Sequence, residues 1–470
     1  MKIVFTHIST EHISGQPPLG IGYLASYIRK YTTANVSIVD QEKNILKAIK
    51  REKPDVLGIS SVTMEYKRAI KLAKQVKEQL DIPIILGGNH VTIMPNTITN
   101  DFDVGVIGEG EETLAELLVN DLSNLDKIKG ICYRKDGKLH INERRPLINP
   151  LDKIPYPARD LFDMEHKYLV PRRAGTAQKL SRATHLFTSR GCPFNCVFCS
   201  SSHFWQRRLR MFSPEYVIGE MKELVDKYKV EEILIFDDLF AANLERLKKI
   251  VRYIKEEKIN EKVDFGCLSR VDIFDEQRAK LLKEMNVLQI DFGFESGSQR
   301  ILNYLKNNTT TVEQNKRAAE LAHKYGLKIH GFFMIGAPME TKEDMLKTLK
   351  FIKNTHIDTV TLCVVTPYPG TQLWEEAKQR GLVSDNMDWR KLDLTPKNDN
   401  FVYMNTQMSK QEFMEIYKDF KKQIEKNQYA IDFRFRDLLS PFVIKYALSH
   451  PVEAWKHFYH SIKKKLNNKY

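Results

Sequence analysis

Between residues 184 and 370 six short apolar runs recur, and each interval between them holds a charged amphipathic stretch. The runs are THLFTSRG (184–191), ILIFDD (233–238), VDFGCLSR (263–270), LQIDFGFES (288–296), KIHGFFMIGAP (328–338) and TVTLCVVTPYPG (359–370). Intervals such as SPEYVIGEMKELVDKYK and TVEQNKRAAELAHKYG carry helical periodicity. An alternation of strand and helix at about thirty residues per unit predicts an α/β fold, a partial (β/α)6 barrel of the TIM type. In such a barrel the chemistry sits at the C-terminal ends of the strands.

The first of those runs leads straight into SRGCPFNCVFCS (189–200), where Cys192, Cys196 and Cys199 stand in CxxxCxxC spacing on a loop containing Pro and Gly. A tight loop can turn three thiolates toward one soft metal centre, and three protein ligands on a four-iron cluster leave one iron free. A closed zinc site is the plainer reading of clustered cysteines, but it takes four ligands, and no Cys or His group follows at a finger-like distance. Cys132, Cys267 and Cys363 are scattered in apolar surroundings and read as small core residues.

A second alternation precedes the first. KIVFTHI (2–8), VSIVD (36–40), VLGIS (56–60), IPIILGG (82–88) and VGVIGEGEE (104–112) alternate with helical patterns, which predicts a doubly wound parallel sheet with its ligand site at the strands' carboxyl ends. His7 to Gly20, Ser60 to Met64 and Gly87 to His90 fall there. Gly87 and Gly88 fit either a tight turn or a close approach to the backbone. GEGEE lacks the lysine of a phosphate loop and reads as a strand-to-helix turn with acidic first-turn residues.

At 470 residues the chain has room for two or three domains. GICYRKDGKLHIN reads as a hairpin turning at Asp136-Gly137, followed by the proline-punctuated NPLDKIPYPARDLF. The expected division is therefore 1–140 for the doubly wound unit, 141–180 for hairpin and linker, 181–380 for the barrel and 381–470 for a mainly helical extension. In that extension Ser409 and Glu412 make a capping box before a face of Phe413, Ile416, Phe420 and Ile424. The basic aromatic end, DLLSPFVIKYALSHPVEAWKHFYHSIKKK, fits a packing helix or lid, and also a helix lying on a membrane surface.

No apolar run is long enough to cross a bilayer and MKIVFTHIST is not a signal peptide, so a cytoplasmic protein, with peripheral membrane contact at most, is the expectation. The net charge of +13 admits anionic partners without choosing among them. Arg207, Arg208 and Arg210, close behind the cysteines, either grip an anion or face solvent.

GCPFNCVFC, with Phe198 before its last cysteine, resembles the signature loop of the radical S-adenosylmethionine (SAM) enzymes. FDDLF, LSRVD, FGFESGS, GFFMIGAPMET and TPYPGT are similar to segments on that family's later strands. The unit that begins with PPLGIGYLASYIRK resembles the cobalamin-binding domain of a large subclass, which includes proteins like the anaerobic magnesium-protoporphyrin monomethyl ester cyclases. The likeness covers residues 1 to about 380 and not the tail. It implies that Cys192, Cys196 and Cys199 ligate a 4Fe-4S cluster whose fourth iron binds SAM, and that an electron from a donor such as flavodoxin or ferredoxin cleaves SAM to a deoxyadenosyl radical. It places Asp237, Asp238, Arg270, Glu295, Gly336 and Pro338 around SAM, although Arg270 has a salt bridge to Asp272 as its plainer role. It places Ser60, Ser61, Gly87, Gly88 and His12 around cobalamin. The family's Asp-x-His-x-x-Gly stands here as Thr10-Glu11-His12-Ile13-Ser14-Gly15, so an imidazole ligand would lack its orienting aspartate.

The implied activity is C-methylation, or ring closure or rearrangement, of a small-molecule or lipid-like substrate. Two competitors stand beside it. A radical SAM enzyme acting on RNA would bring further cluster cysteines in its N-terminal unit, where residues 1–140 hold only Cys132, so no nucleic acid partner is expected. A non-catalytic corrinoid or iron-sulfur carrier would have no use for the acidic residues at the barrel's strand ends.

Overall fold

The computed structural model describes residues 1–8, 15–170, 172–173, 180–427 and 448. Strands Lys2–Ile8 (β1), Asn35–Val39 (β2), Val56–Ser61 (β3), Ile84–Gly87 (β4) and Val104–Val106 (β5) form a parallel sheet in the order β2-β1-β3-β4-β5. The crossovers that return each strand to the same edge are helical, notably Leu19–Tyr31 and Tyr66–Leu80, whose buried faces are Ile21, Ala25 and Ile28 in one and Ala69, Leu72, Ala73 and Val76 in the other.

Ile131–Lys135 (β6) and Lys138–Ile141 (β7) add an antiparallel hairpin to that sheet beyond β5. Asp136 at φ 51° and Gly137 at φ 74° make the two-residue turn, the left-handed pair that matches the twist of paired strands. The expected hairpin is thus present, and it extends the first sheet instead of opening the linker. The linker itself is pinned at Arg159, which pairs with Glu220 at 2.7 Å and donates to the carbonyl of His185 at 3.0 Å, all out of contact with water.

The second sheet contains Ala183–Leu186 (β8), Glu232–Ile235 (β9), Asp264–Ser269 (β10), Val287–Glu295 (β11), Lys328–Ile335 (β12) and Thr359–Val364 (β13). They pair in sequence order and all in parallel, and β8 and β13 do not pair with each other, so the barrel is open. Helices return outside it, several with side-chain caps, including full capping boxes at Thr311/Gln314 and Thr341/Asp344. The helix Lys410–Asn427 starts where Ser409 accepts from the Glu412 N–H at 3.2 Å, and it buries Phe413, Tyr417, Phe420 and Ile424. Residues 428–447 and 449–470, which carry the basic aromatic end, lie outside the described residues. Cys132 and Cys267 are core residues as expected, while Cys363 is only partly buried.

Candidate functional site

The cysteine loop is built by its neighbours. Ser189–Arg190 pairs with Arg210–Met211 in a short ribbon, and Gly191 at φ 95° turns the chain where the carbonyl of Arg208 leaves no room for a Cβ. Midway through the loop buried Val197 is tied at both ends, its N–H to the carbonyl of Leu305 at 3.0 Å and its own carbonyl to the N–H of Leu373 at 3.2 Å. The apolar residue between Cys196 and Cys199 is therefore the loop's anchor, which leaves the three thiols free of disulfides and half-buried.

Burial pushes the Cys192 thiol up to about 11 and the Cys199 thiol up to about 12. Bare thiolates at those two positions are costly, and a cationic iron centre supplies the charge that stabilises them. Among the described residues no three His, Cys, Asp or Glu side chains converge on one ion; a cubane takes one thiolate per iron, so its ligands need not converge in that way. The donor set fits a cluster.

Arg270 supports the same loop. It grips Asp272 through Nε and Nη2, both at 2.9 Å, donates from Nη1 toward the Cys196 sulfur at 3.5 Å, and lays its guanidinium 3.5 Å from the centre of the Phe194 ring. The Asp272 salt bridge is present, and Nη2 is shared with Thr309 and Thr310.

Asp237 and Asp238 part company, because consecutive residues at a strand end face opposite ways. Asp237 is 1% exposed and accepts from the Thr188 N–H at 2.6 Å and the Ser189 hydroxyl at 2.7 Å, as well as from the Thr188 hydroxyl and the Ser189 N–H. It ties the start of the cysteine loop to β9. Asp238 lines the central cavity, where it accepts from the Ser201 hydroxyl at 2.7 Å and where desolvation raises its carboxyl.

Glu295 follows a bulge in β11, sits at φ 60° and pairs with buried Lys306 at 2.9 Å. A left-handed non-glycine at a strand end is held against its own preference. Gly336, at φ 90°, donates its N–H to a carboxyl oxygen of buried Glu340 at 2.6 Å, and the Pro338 carbonyl accepts from Thr406.

On the other wall of the cavity stand the ends of the first sheet. Gly88, at φ 100°, is packed so tightly that an added Cβ would lie 2.5 Å from the carbonyl oxygen of Ser61, whereas Gly87 has nothing within 4 Å. The pair thus divides the two readings of it: Gly88 permits the chain's own close approach to Ser61, and Gly87 leaves open space. Ser61 is buried beneath, and Ser60 faces the cavity. His12 lies outside the described residues.

Sequence reasoning missed the contact that joins the two walls. Glu109 accepts from Arg190 at 2.7 Å, from Arg210 at 2.8 and 3.1 Å, and from the Ile148 N–H at 2.7 Å, while Glu111 accepts from Arg190 at 2.6 Å. Their side chains are 4 to 11% exposed. Burial works against the Arg190 charge, but Glu111 and Glu109 together hold that guanidinium above its ordinary value. Of the three clustered arginines only Arg210 is drawn inward, partly buried with its side chain 9% exposed; Arg207 and Arg208 face solvent.

Between the walls lies a cavity of about 530 Å³, lined by Ser60, Gly87 and Gly108 from the first sheet and by Arg190, Cys199 and Asp238 from the second unit. Family models match on both sides of it: "B12 binding domain" over residues 13–118 and "Radical SAM superfamily" over 186–352. An uncharacterized methyltransferase of Pyrococcus horikoshii is 39% identical over 390 residues, covering 80% of this chain and 81% of that one. The chain belongs to the radical SAM superfamily, in the branch with a B12-binding domain.

The cytidylyl-2-hydroxyethylphosphonate methyltransferase of Streptomyces wedmorensis is 29% identical over 78% of each chain. Among solved structures, the radical SAM methyltransferase TsrM of Kitasatospora setae, with cobalamin and a [4Fe-4S] cluster bound, superposes with a TM-score of 0.67 at 17% identity, over 81% of this chain and 75% of that one. The cobalamin-dependent radical SAM enzyme OxsB, with aqua-cobalamin bound, does so at 0.65 and 19%, over 90% of this chain and 62% of its own longer chain. These two share the fold. Radical SAM membership and the B12-binding domain together carry the cofactor set: a 4Fe-4S cluster, SAM and cobalamin.

Proposed function

We propose that this radical SAM enzyme is a cobalamin-dependent C-methyltransferase acting on a small molecule held in the cavity between its two sheets. The observation that carries the reading is the cavity's lining: strand ends of a B12-binding fold and the cysteine loop of a radical SAM barrel face one space. When bound, the cluster and SAM supply hydrogen abstraction from an unactivated carbon, and cobalamin supplies the methyl group.

The chain's own residues would hold and orient these groups. Cys192, Cys196 and Cys199 would carry the cluster, with the Arg270 N–H turned toward the Cys196 sulfur. Asp238 would meet the SAM ammonium, because it is the carboxylate of its pair that faces the cavity. Glu295 with Lys306, and the backbone around Gly336 and Pro338, would bound the SAM site. Gly87 would let the corrin approach, with Ser60 beside it and Gly88 fixing the turn. The buried Glu109 and Arg190 contact would keep the two walls in register and water out of the space between them.

A one-electron donor of the flavodoxin or ferredoxin kind completes the system. Among the described residues no helix is long and apolar enough to cross a membrane. A peripheral contact belongs to the basic segment beyond Asn427 and is tested by binding to anionic vesicles.

The test is anaerobic. Reconstituted protein, given SAM and a reductant, should form deoxyadenosine and retain stoichiometric cobalamin through gel filtration. Protein that holds iron yet yields no deoxyadenosine, or that never retains a corrinoid, refutes the reading.

A further inference from the structure

The strand register defines a layer across the barrel that none of the roles above uses. Leu186, Ile235, Cys267, Ile290 and Ile329 stand side by side on β8 to β12 and are all buried under the helices. One residue further along each strand the side chains take the opposite, concave face. The paired residues there are Leu268 with Asp291, Asp291 with His330, and His330 with Thr359. Phe187 and Phe236 continue the row immediately past the ends of β8 and β9, where the Phe236 N–H donates to the carbonyl of Leu186 at 3.0 Å.

The row is divided chemically. Phe187 and Phe236 line the central cavity, and Phe236 is 39% exposed there, an unusual state for a large apolar side chain at a strand end. His185 backs both rings, with centroids at 5.6 and 4.8 Å. At the other end, beyond the residues that line that cavity, the row is polar. His330 is fixed between the hydroxyls of Thr359 on Nδ1 at 2.7 Å and Thr361 on Nε2 at 3.0 Å. Burial pushes its imidazole down to about 4, so it is neutral and supplies no positive charge.

Asp291, in the middle of the row, accepts one hydrogen bond, from the Gln289 amide at 2.8 Å, and among the described residues no ion pair includes it. Burial raises its carboxyl to about 6, so it is charged at neutral pH. A half-buried carboxylate with one neutral donor is undercompensated, and a cation is the partner that corrects it.

We propose that the concave layer Phe187, Phe236, Asp291, His330 is a substrate subsite for a molecule with an apolar body, seated on the two phenylalanines, and a protonated amine that pairs with Asp291. The inference rests on the reading of the chain as a small-molecule methyltransferase, since it names the class of molecule that would reach from the cavity along the concave face to Asp291.

The test measures binding, not turnover. The full chain, reconstituted with cluster and cobalamin, is dialysed to equilibrium against phenylpropylamine or its isostere phenylpropanol. Wild type should prefer the amine by about tenfold or more, the strength of a charge-assisted contact. Asp291→Asn should bring the amine down to the alcohol's affinity and leave the alcohol unchanged; Phe236→Ala should weaken both. Circular dichroism of each variant excludes misfolding. Equal affinities in wild type, a preference that survives Asp291→Asn, or no binding of either probe to wild type overturns the subsite. Amine binding by a protein that forms no deoxyadenosine would instead sink the methyltransferase reading and leave the subsite standing.

Discussion

Replacing Glu109 with glutamine tests the electrostatic link between the two sheets. The carboxylate receives four hydrogen bonds, two guanidinium groups contribute three of them, and its side chain is 4% exposed. The four charged groups Glu109, Glu111, Arg190 and Arg210 sum to zero. An amide leaves one uncompensated positive charge and removes the only carboxylate that, among the described residues, Arg210 touches.

Removing one partner from a buried charge pair costs about 3–5 kcal/mol, because the remaining charge is stranded out of water. At roughly 2–4 °C per kcal/mol for a unit of this size, the thermal midpoint should fall by about ten degrees. Differential scanning calorimetry reads it, with Glu257→Gln as a control at the half-exposed Lys222 pair, where little change is expected. Cobalamin retention should fall with stability, since Glu109 belongs to the loop that lines the cavity. A loss below about 1 kcal/mol that salt abolishes would show a screened surface contact and refute the reasoning.

Other expectations are more local. Alanine at Cys192, Cys196 or Cys199 should each reduce the iron content of reconstituted protein to near background while leaving far-ultraviolet dichroism intact, because Val197 and not a thiol anchors the loop. Gly88→Val forces a β-branched residue into φ 100° against Ser61 and should destabilise the fold by about 1–3 kcal/mol or more, with weaker cobalamin retention, whereas Gly87→Ala should fold normally. Glu340 is wholly buried and burial raises its carboxyl to about 8. The unfolded chain therefore releases this proton near pH 4.5 and the folded chain near 8, so stability falls as pH rises through that window, by up to roughly 1.4 kcal/mol per pH unit. Glu340→Gln should flatten that part of the pH profile in chemical denaturation; an unchanged slope would show that the carboxyl titrates normally.

Much of this was legible in the residues because local rules decided it. Every apolar run in both alternations became a strand within one or two residues of its expected bounds or inside them, and Asp136-Gly137 announced the hairpin turn through its tolerance of positive φ. What was not legible depends on distance. Glu109 meets Arg190 across 81 residues and Arg210 across 101, and GEGEE by itself looks like an acidic helix start, which it also is.

The division of labour between Asp237 and Asp238 was available from strand alternation, had the strand's buried face been known. The concave layer was fainter still. Its signal is Gln289 and Asp291 interleaved with apolar residues in LQIDFGFE, and His330 and Thr359 on the next two strands, and only the register sets those polar residues side by side.

The link between the sheets bears on how such a protein can change over generations. Its acidic half, Glu109 and Glu111, is carried by one segment of the chain and its basic half, Arg190 and Arg210, by another. A hybrid that took its B12-binding half from one relative and its barrel from another would join mismatched halves unless both parents kept this pairing. Two carboxylates or two guanidiniums would then be stranded at the seam. The two halves are therefore expected to be inherited as a matched set, and shuffling between relatives should succeed only where the crossover carries all four residues from the same parent.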